Sequence, residues 1–162
     1  MRLVDRLPTL LLAAALLASG GATAVDLSAK FDPARDAAAD VARAVAIAKS
    51  QGKRVIVDVG GEWCTWCHIM DRFIDANADI RSLIETRYVW VKVNYSKENR
   101  NEALLTRWPK VAGYPHLFVL DAEGSLVHSQ NTSELEAGRG YDVAKFTAFL
   151  HRWSGASPSR AS

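Results

Sequence analysis

The sequence has few cysteines and methionines, two of each, and it has no excess of charge of one sign. Its 20 Lys and Arg residues nearly balance 18 Asp and Glu residues, leaving a formal net charge of +2. The charges are interspersed, so neither nucleic-acid binding nor a polybasic membrane patch is indicated. No internal repeat or second domain is visible, and 49% hydrophobic residues suffice for one buried core.

The sequence also lacks a hydrophobic run long enough to span a membrane. Its apolar run over residues 10–18 is shorter than the ~20 residues that a spanning helix needs. Arg2 and Arg6 precede this run, and Ala22-Thr23-Ala24 follows it as a small-residue cleavage site. We therefore predict a cleaved signal peptide over residues 1–24 and no stable membrane span after cleavage. The protein would be exported, to the periplasm in a bacterium and otherwise secreted.

The mature chain is predicted to be one domain over residues 25–154, followed by a flexible tail over residues 155–162. The first predicted helix is capped by Asp32, has Pro33 as its first residue and ends at Gly52; a strand over 55–59 follows it. A helix then begins at Cys64 and has a second helical piece over 80–86, and after it come a strand over 88–94 and a helix that is capped by Ser96 and reaches Trp108. The last predicted elements are a strand over 117–120, its hairpin partner over 126–128, a polar loop over 131–141 and a helix capped by Asp142. This alternation followed by a hairpin indicates an α/β fold with a mixed sheet and helices on both faces.

Both cysteines lie in one motif, Trp63-Cys64-Thr65-Trp66-Cys67-His68. The C-x-x-C spacing is used by redox dithiols, by halves of zinc sites and, with a following histidine, by c-type haem attachment sites. In an oxidising compartment the pair is expected as a disulfide unless it cycles. A bridge across two residues closes a very short loop and stabilises a fold least, which favours a reactive pair.

The other uses of the motif have less support. Met70 is the only methionine besides the first residue, and it is too close to His68 to be the opposite axial ligand of a haem. Zinc usually takes four ligands, and the remaining histidines lack ligand spacing, so we expect no metal. A partner-binding module with little turnover stays open, because Trp66 and the loop over 131–141 could form a docking surface.

The position of the motif supports thiol chemistry. A thiol attacks a disulfide only as the thiolate, and an ordinary cysteine with a pKa of ~8.5 is mostly protonated at neutral pH. Cys64 stands where a strand ends and a helix begins, so backbone N–H groups and the helix dipole would stabilise its thiolate. Cys67, one helical turn further, would be the shielded partner that resolves a mixed disulfide.

Residues from about 32 to 153 resemble the thioredoxin fold. Residues 55–58 followed by Glu62-Trp63-Cys64 match the strand, buried acid and Trp-Cys of that superfamily, residues 92–94 match its lysine-bearing strand, and Gly113-Tyr114-Pro115 matches its cis-proline loop. The pattern Trp-Cys-x-Trp-Cys-His-x-Met resembles exported and spermatogenesis-associated thioredoxin-like proteins more than it resembles housekeeping thioredoxin. The resemblance implies a thioredoxin fold, here with an extra N-terminal helix.

The resemblance also implies roles for individual residues. Asp58 would take and return the proton of Cys67, and Lys92 would tune the charge state of Asp58. Pro115 would be cis and would place the Tyr114 backbone beside Cys64. The implied activity is that of a thiol-disulfide oxidoreductase whose only redox group is the Cys64–Cys67 pair, acting on protein thiols and disulfides and reset by a redox partner.

The surroundings of the motif would contact the substrate. We expect Trp63, Trp66, Tyr114 and Pro115 to form that surface. Thr65-Trp66 replaces the Gly-Pro of thioredoxin, and in this superfamily that dipeptide tunes the reduction potential. Trp66 could equally pack against a neighbouring loop. His68 could tune the cysteines, but a solvated helix position is the simpler interpretation.

Overall fold

The computed structural model describes residues 26–155. The predicted signal peptide and the predicted tail beyond Gly155 therefore lie outside the described residues. The elements are α1 (Ala37–Gln51), β1 (Arg54–Gly60), α2 (Thr65–Ala76), α3 (Ala78–Arg87), β2 (Tyr88–Asn94), α4 (Glu102–Leu105), β3 (His116–Leu120), β4 (Leu126–Asn131), a 3-10 helix (Thr132–Leu135), β5 (Glu136–Ala137), β6 (Gly140–Tyr141) and α5 (Val143–Trp153). Among these helices, none is both long and apolar enough to cross a bilayer.

The four-stranded sheet has the order β2-β1-β3-β4. β1 pairs in parallel with β2 and antiparallel with β3, and β3 pairs antiparallel with β4. The sheet is thus mixed, as predicted, and β1 lies at its centre. From Val55 to Gly60 every residue of β1 is buried, which explains the continuous β-branched run in the sequence.

Alternation of side chains along β1 divides the core into two clusters. Val55, Val57 and Val59 pack with α1 on one face of the sheet. Ile56 packs with buried residues of α2, α3 and α5 on the other. Asp58 is two residues from Ile56 and therefore shares its face of the sheet. Helices therefore cover both faces, and the thioredoxin fold with an added N-terminal helix is confirmed.

The start of α1 differs from the prediction. Asp32 accepts a hydrogen bond from the Ala34 N–H, 2.9 Å away, and forms a turn before the helix. Asp36 is the N-cap, and its carboxylate accepts from the Ala39 N–H at 3.0 Å. The prediction that Asp32 caps the helix was wrong, since both aspartates have capping chemistry and only the course of the chain selects one. Gly52 ends α1 in the left-handed conformation, as predicted, with φ of 64°.

The region after β2 contains less helix than predicted. The helix expected from Ser96 to Trp108 is reduced to one turn, α4, which begins after Asn101. Ser96 instead takes part in a turn in which its backbone N–H bonds to the Asn99 carbonyl. The Asn101 side chain donates to the Asn94 carbonyl at 2.7 Å. Asparagine and serine side chains that bind nearby backbone groups compete with helix formation here.

Residues 131–141 are structured, whereas we predicted a polar loop. They form the 3-10 helix and a small hairpin of β5 and β6. Tyr141 is buried and belongs to the cluster below α2. We call residues 131–141 the hairpin segment.

Residues 26–36 precede α1, and we call them the N-terminal arm. The Leu27 carbonyl accepts a hydrogen bond of 2.9 Å from the Lys92 N–H, so the arm runs along the edge of β2 that faces away from β1. Covering an outer strand in this way removes an exposed pairing edge. Phe31 is 1% exposed, which means that the arm also contributes to the interior.

The helix start gives a test of the structure against the sequence prediction. Asp36→Ala should lower the free energy of unfolding by about 1 kcal/mol, because an N-cap acceptor is lost. Asp32→Ala is the matched control and should cost less, because its turn precedes the helix. Denaturant titration measures both, and a larger loss for Asp32→Ala would contradict the assigned cap.

Candidate functional site

The two cysteines lie at the junction of β1 and α2. Cys64 is the N-cap of α2, and the backbone N–H of Cys67 donates a hydrogen bond of 3.1 Å to the Cys64 Sγ. The two sulfur atoms form a disulfide with a Cα–Cα distance of 5.3 Å. Cys64 is 3% exposed and Cys67 is 1% exposed. When the bond is reduced, the N–H groups and dipole of a 12-residue helix favour the thiolate at Cys64.

An aromatic wall borders the disulfide. Trp63 is 57% exposed, and its Nε1 donates to the Tyr95 carbonyl at 2.8 Å. Its ring meets the Tyr114 ring edge-on at 5.6 Å, and Tyr114 stacks on Tyr95 at 5.0 Å. The Tyr114–Pro115 peptide bond is cis, as the resemblance implied. Tyr114 packs against the cysteine cluster and Trp63 contacts Tyr114, so the structure brings these two rings together near the disulfide.

A cleft of about 610 Å³ opens on the outer side of Trp63. The arm contributes Phe31 and Pro33 to its walls, and the loop after β2 contributes Tyr95. The cleft thus shares Trp63 and Tyr95 with the aromatic wall, and it shares Phe31 with the cysteine cluster.

Trp66 has a different environment from Trp63. It is half-buried, and its ring meets the Tyr141 ring edge-on with centroids 5.7 Å apart. Tyr141 belongs to the hairpin segment, so Trp66 packs on the segment with which we expected it to form a docking surface. Thr132 of the same segment donates to the Pro115 carbonyl at 2.6 Å. The hairpin segment therefore supports both α2 and the cis-proline loop.

Asp58 is a buried acid, as predicted, with 2% exposure. Its Oδ2 accepts a 3.3 Å hydrogen bond from the Trp90 Nε1, and its Oδ1 has no partner among the described residues. Burial raises the pKa of Asp58 to about 7, because the ionised form loses its hydration; the charge of Lys92 opposes this rise, and that of Asp71 adds to it. Asp58 can thus exchange a proton near neutral pH.

Lys92 lies next to Asp58 in the parallel register of β1 and β2. It is 9% exposed, and its ammonium forms an ion pair of 2.8 Å with Asp71 of α2. Asp71 was missed by the sequence analysis, although it follows Cys64 by seven residues and hence by two helical turns. The charge balance at Asp58 therefore involves three groups, where the sequence predicted two.

Phe31 was also missed. It forms a cluster with Cys64 and Cys67, and its N–H donates to a Glu62 carboxylate oxygen at 2.8 Å. Gly60 makes room for this cluster, because a Cβ there would lie 2.5 Å from the Cys67 Sγ and 3.0 Å from the Phe31 ring. A phenylalanine among charged and small residues ahead of the first helix was the only sequence signal.

The histidines near the site have structural partners. The Nε2 of His68 is 2.8 Å from the Glu62 carbonyl, so His68 is held to the loop in front of Cys64. His116, which follows Pro115, is 4% exposed and bonds to the Ser129 hydroxyl at 2.8 Å. Burial lowers the pKa of His116 to about 4, so it is neutral at pH 7. Within residues 26–155, no three His, Cys, Asp or Glu side chains come together as a metal site.

Relatives of the chain carry names that refer to thiol chemistry. A protein named thiol:disulfide interchange protein DsbD from Klebsiella pneumoniae is 29% identical over 161 residues, which is 94% of this chain and 25% of the relative. Its counterpart from Pseudomonas fluorescens is 30% identical over 118 residues, covering 72% of this chain and 18% of the relative. This chain thus spans a quarter or less of the length of these two relatives.

Solved structures agree in fold. A disulphide isomerase from Xylella fastidiosa superposes with a TM-score of 0.65 at 25% identity, over 75% of this chain and 94% of that one. The oxidised C-terminal domain of DsbD from Neisseria meningitidis superposes with a TM-score of 0.57 at 21% identity, over 77% of this chain and 99% of that one.

The model of a family described as thioredoxin-like matches residues 36–122. This range includes α1, the cysteine motif, Asp58, Lys92 and the cis-proline loop. The chain belongs to the thioredoxin-like family.

Proposed function

We propose that this protein is an exported thiol-disulfide oxidoreductase that reduces or exchanges disulfides in other proteins. The observation that carries the proposal is the Cys64–Cys67 disulfide at the N-terminus of α2, beside the cis Tyr114–Pro115 bond and on the same side of the sheet as buried Asp58. The names of the relatives support this assignment. Export rests on the N-terminal sequence, and the bacterial origin of the relatives makes the periplasm the proposed compartment.

The first step begins with the reduced pair. The Cys64 thiolate attacks one sulfur of a substrate disulfide, a bond forms between that sulfur and the Cys64 Sγ, and the other substrate sulfur leaves as a thiolate that takes up a proton. The substrate chain would lie against the Tyr114 backbone, with Trp63 and Trp66 on its flanks. This contact would orient the disulfide toward Cys64.

The second step uses Cys67 and Asp58. Ionised Asp58 accepts the Cys67 proton, and the Cys67 sulfur then attacks the Cys64 Sγ. The Cys64–Cys67 disulfide re-forms, and the substrate sulfur leaves as a thiolate and is protonated. Two electrons pass from the pair to the substrate. Further turnover requires a redox partner that reduces the pair, and the Asp58 and Lys92 pattern favours this reducing direction.

The cysteines can be tested separately. Cys64→Ser should abolish insulin reduction, because the attacking sulfur is lost, whereas Cys67→Ser should accumulate mixed disulfides that nothing resolves. Turnover assays and mass spectrometry of trapped adducts measure the two outcomes. Exposed His151→Ala on α5 is a control that should retain activity. Unchanged turnover and no adducts in both cysteine variants would refute the redox function.

The role of Asp58 can be tested by the pH dependence of resolution. Asp58→Asn should slow the second step by at least about tenfold above pH 7, because a general base commonly contributes ~100-fold or more. In the parent, the rate should rise through the pKa of Asp58 at about 7. Rapid mixing with a preformed mixed disulfide measures this rate from pH 5 to 9, over roughly two units on either side.

Two variants around Asp58 control for its electrostatics. Asp71→Asn removes a charge that raises the Asp58 pKa, so the rate should rise at lower pH than in the parent. Lys92→Gln removes a charge that lowers it, so the rise should move to higher pH. If the rate of the second step had the same pH dependence in the parent, in Asp71→Asn and in Lys92→Gln, control of this step by Asp58 would be contradicted.

The same group should make stability depend on pH. The folded protein holds the Asp58 proton more tightly than the unfolded chain, so the free energy of unfolding falls as pH rises from 3.8 to about 7. A pKa difference of about 3 corresponds to about 4 kcal/mol. The free energy of unfolding of Asp58→Asn should therefore equal that of the parent near pH 4 and exceed it above pH 7, and denaturant titration measures this difference. Exposed Asp75→Asn is the control, and a parent-like Asp58→Asn at pH 8 would contradict the cost of the buried charge.

A further inference from the structure

The N-terminal arm brings an aromatic ring to the cysteine pair from outside the matched family region. Residues 36–122 match the family model, and Phe31 precedes them. Its side chain nevertheless forms one buried cluster with Cys64 and Cys67, and the residue is 1% exposed. The ring therefore reaches the interior of the site from a segment that the family model does not cover.

The contacts place the ring beside Cys67 in particular. A Cβ on Gly60 would lie 2.5 Å from the Cys67 Sγ and between 3.0 and 3.2 Å from two atoms of the Phe31 ring. The ring and the sulfur thus border the same small space above Gly60. The Phe31 ring also lies near a charge, because its centroid is 4.9 Å from the Lys92 ammonium.

The arm is held at several points around Phe31. The Leu27 carbonyl accepts from the Lys92 N–H at 2.9 Å, and the Phe31 N–H donates to Glu62 at 2.8 Å. The Pro33 carbonyl accepts from the Asn99 side chain at 3.0 Å. These hydrogen bonds connect the arm to β2, to the loop before α2 and to the loop after β2. They therefore help to fix the position of the Phe31 ring in addition to the packing of the ring itself.

We propose that Phe31 is a positioning residue that screens Cys67 from water and from thiol reagents in solution. This inference rests on the proposed function, in which Cys67 is the resolving cysteine. An apolar ring against a sulfur disfavours the charged thiolate, because it replaces water that would solvate the charge. Cys67 then stays protonated and unreactive toward outside reagents until the mixed disulfide is in place and Asp58 takes its proton.

The test uses Cys64→Ser, in which Cys67 is the only thiol. The rate of alkylation of this thiol by iodoacetamide is measured across pH, which gives both its accessibility and its pKa. Phe31→Ala in this background should speed alkylation about tenfold at neutral pH and lower the apparent pKa, because one pKa unit changes the thiolate fraction tenfold. Phe31→Leu keeps part of the apolar contact, so its alkylation rate in this background should lie between those of Cys64→Ser alone and of Cys64→Ser with Phe31→Ala. Equal rates for all three proteins would overturn the proposal.

The control removes an equivalent ring elsewhere. Phe149 is 5% exposed and packs in the cluster of α5, apart from the cysteine cluster. Phe149→Ala in the same background should lose stability yet alkylate at the rate of Cys64→Ser. Equal acceleration by Phe149→Ala and Phe31→Ala would mean general opening of the fold and would also overturn the proposal.

A second readout uses the intact pair. Phe31→Ala should shift the reduction potential of Cys64–Cys67 to a more positive value, because a hydrated thiolate stabilises the reduced form. An unchanged or more negative potential would contradict the screening role. Neither readout requires protein substrates, so loss of insulin reduction with normal screening would count against the proposed function alone.

Discussion

The junction between β1 and α2 is the constraint on which the site depends. A central strand, buried along nearly its whole length, ends at Gly60, and after four residues a helix begins with Cys64 as its cap. The rigid strand fixes where the first N–H groups of the helix lie, and these groups point at the sulfur that must carry negative charge. The position of Cys64 at the helix N-terminus thus depends on the buried strand as much as on the motif itself.

Asp58, Lys92 and Asp71 lie near this junction, and burying their charges is energetically unfavourable unless charges of opposite sign are close by. Asp58 is buried in an apolar cluster and has a pKa of about 7, while Lys92, its neighbour across the strands, is paired with Asp71. A buried carboxylate facing an uncompensated interior would simply stay protonated. The Lys92–Asp71 pair keeps a positive and a negative charge within the electrostatic range of Asp58, which holds its pKa near the pH at which a proton acceptor is useful.

Two segments outside the four-stranded sheet contact the residues of the site. The N-terminal arm covers the outer edge of β2 and carries Phe31 to the cysteines, and the hairpin segment supports Trp66 through Tyr141 and the cis-proline loop through Thr132. Between these two segments, the aromatic wall includes the rings of Trp63 and Tyr114, and a cleft lies beside Trp63.

The sequence by itself determined the elements whose signals are local. The β-branched run of β1, the C-x-x-C motif at a helix start, the strand of Lys92 and the helix capped by Asp142 follow from patterns within a few residues, and the resemblance added the cis Tyr114–Pro115 bond. The choice of Asp36 over Asp32, the single turn of α4 and the structured hairpin segment were decided only by the tertiary structure. So were the packing of Phe31 in the cysteine cluster and the ion pair of Asp71 with Lys92. Each of these joins distant parts of the chain or selects among chemically equivalent residues, and such contacts exist only once the sheet and helices have brought the residues together.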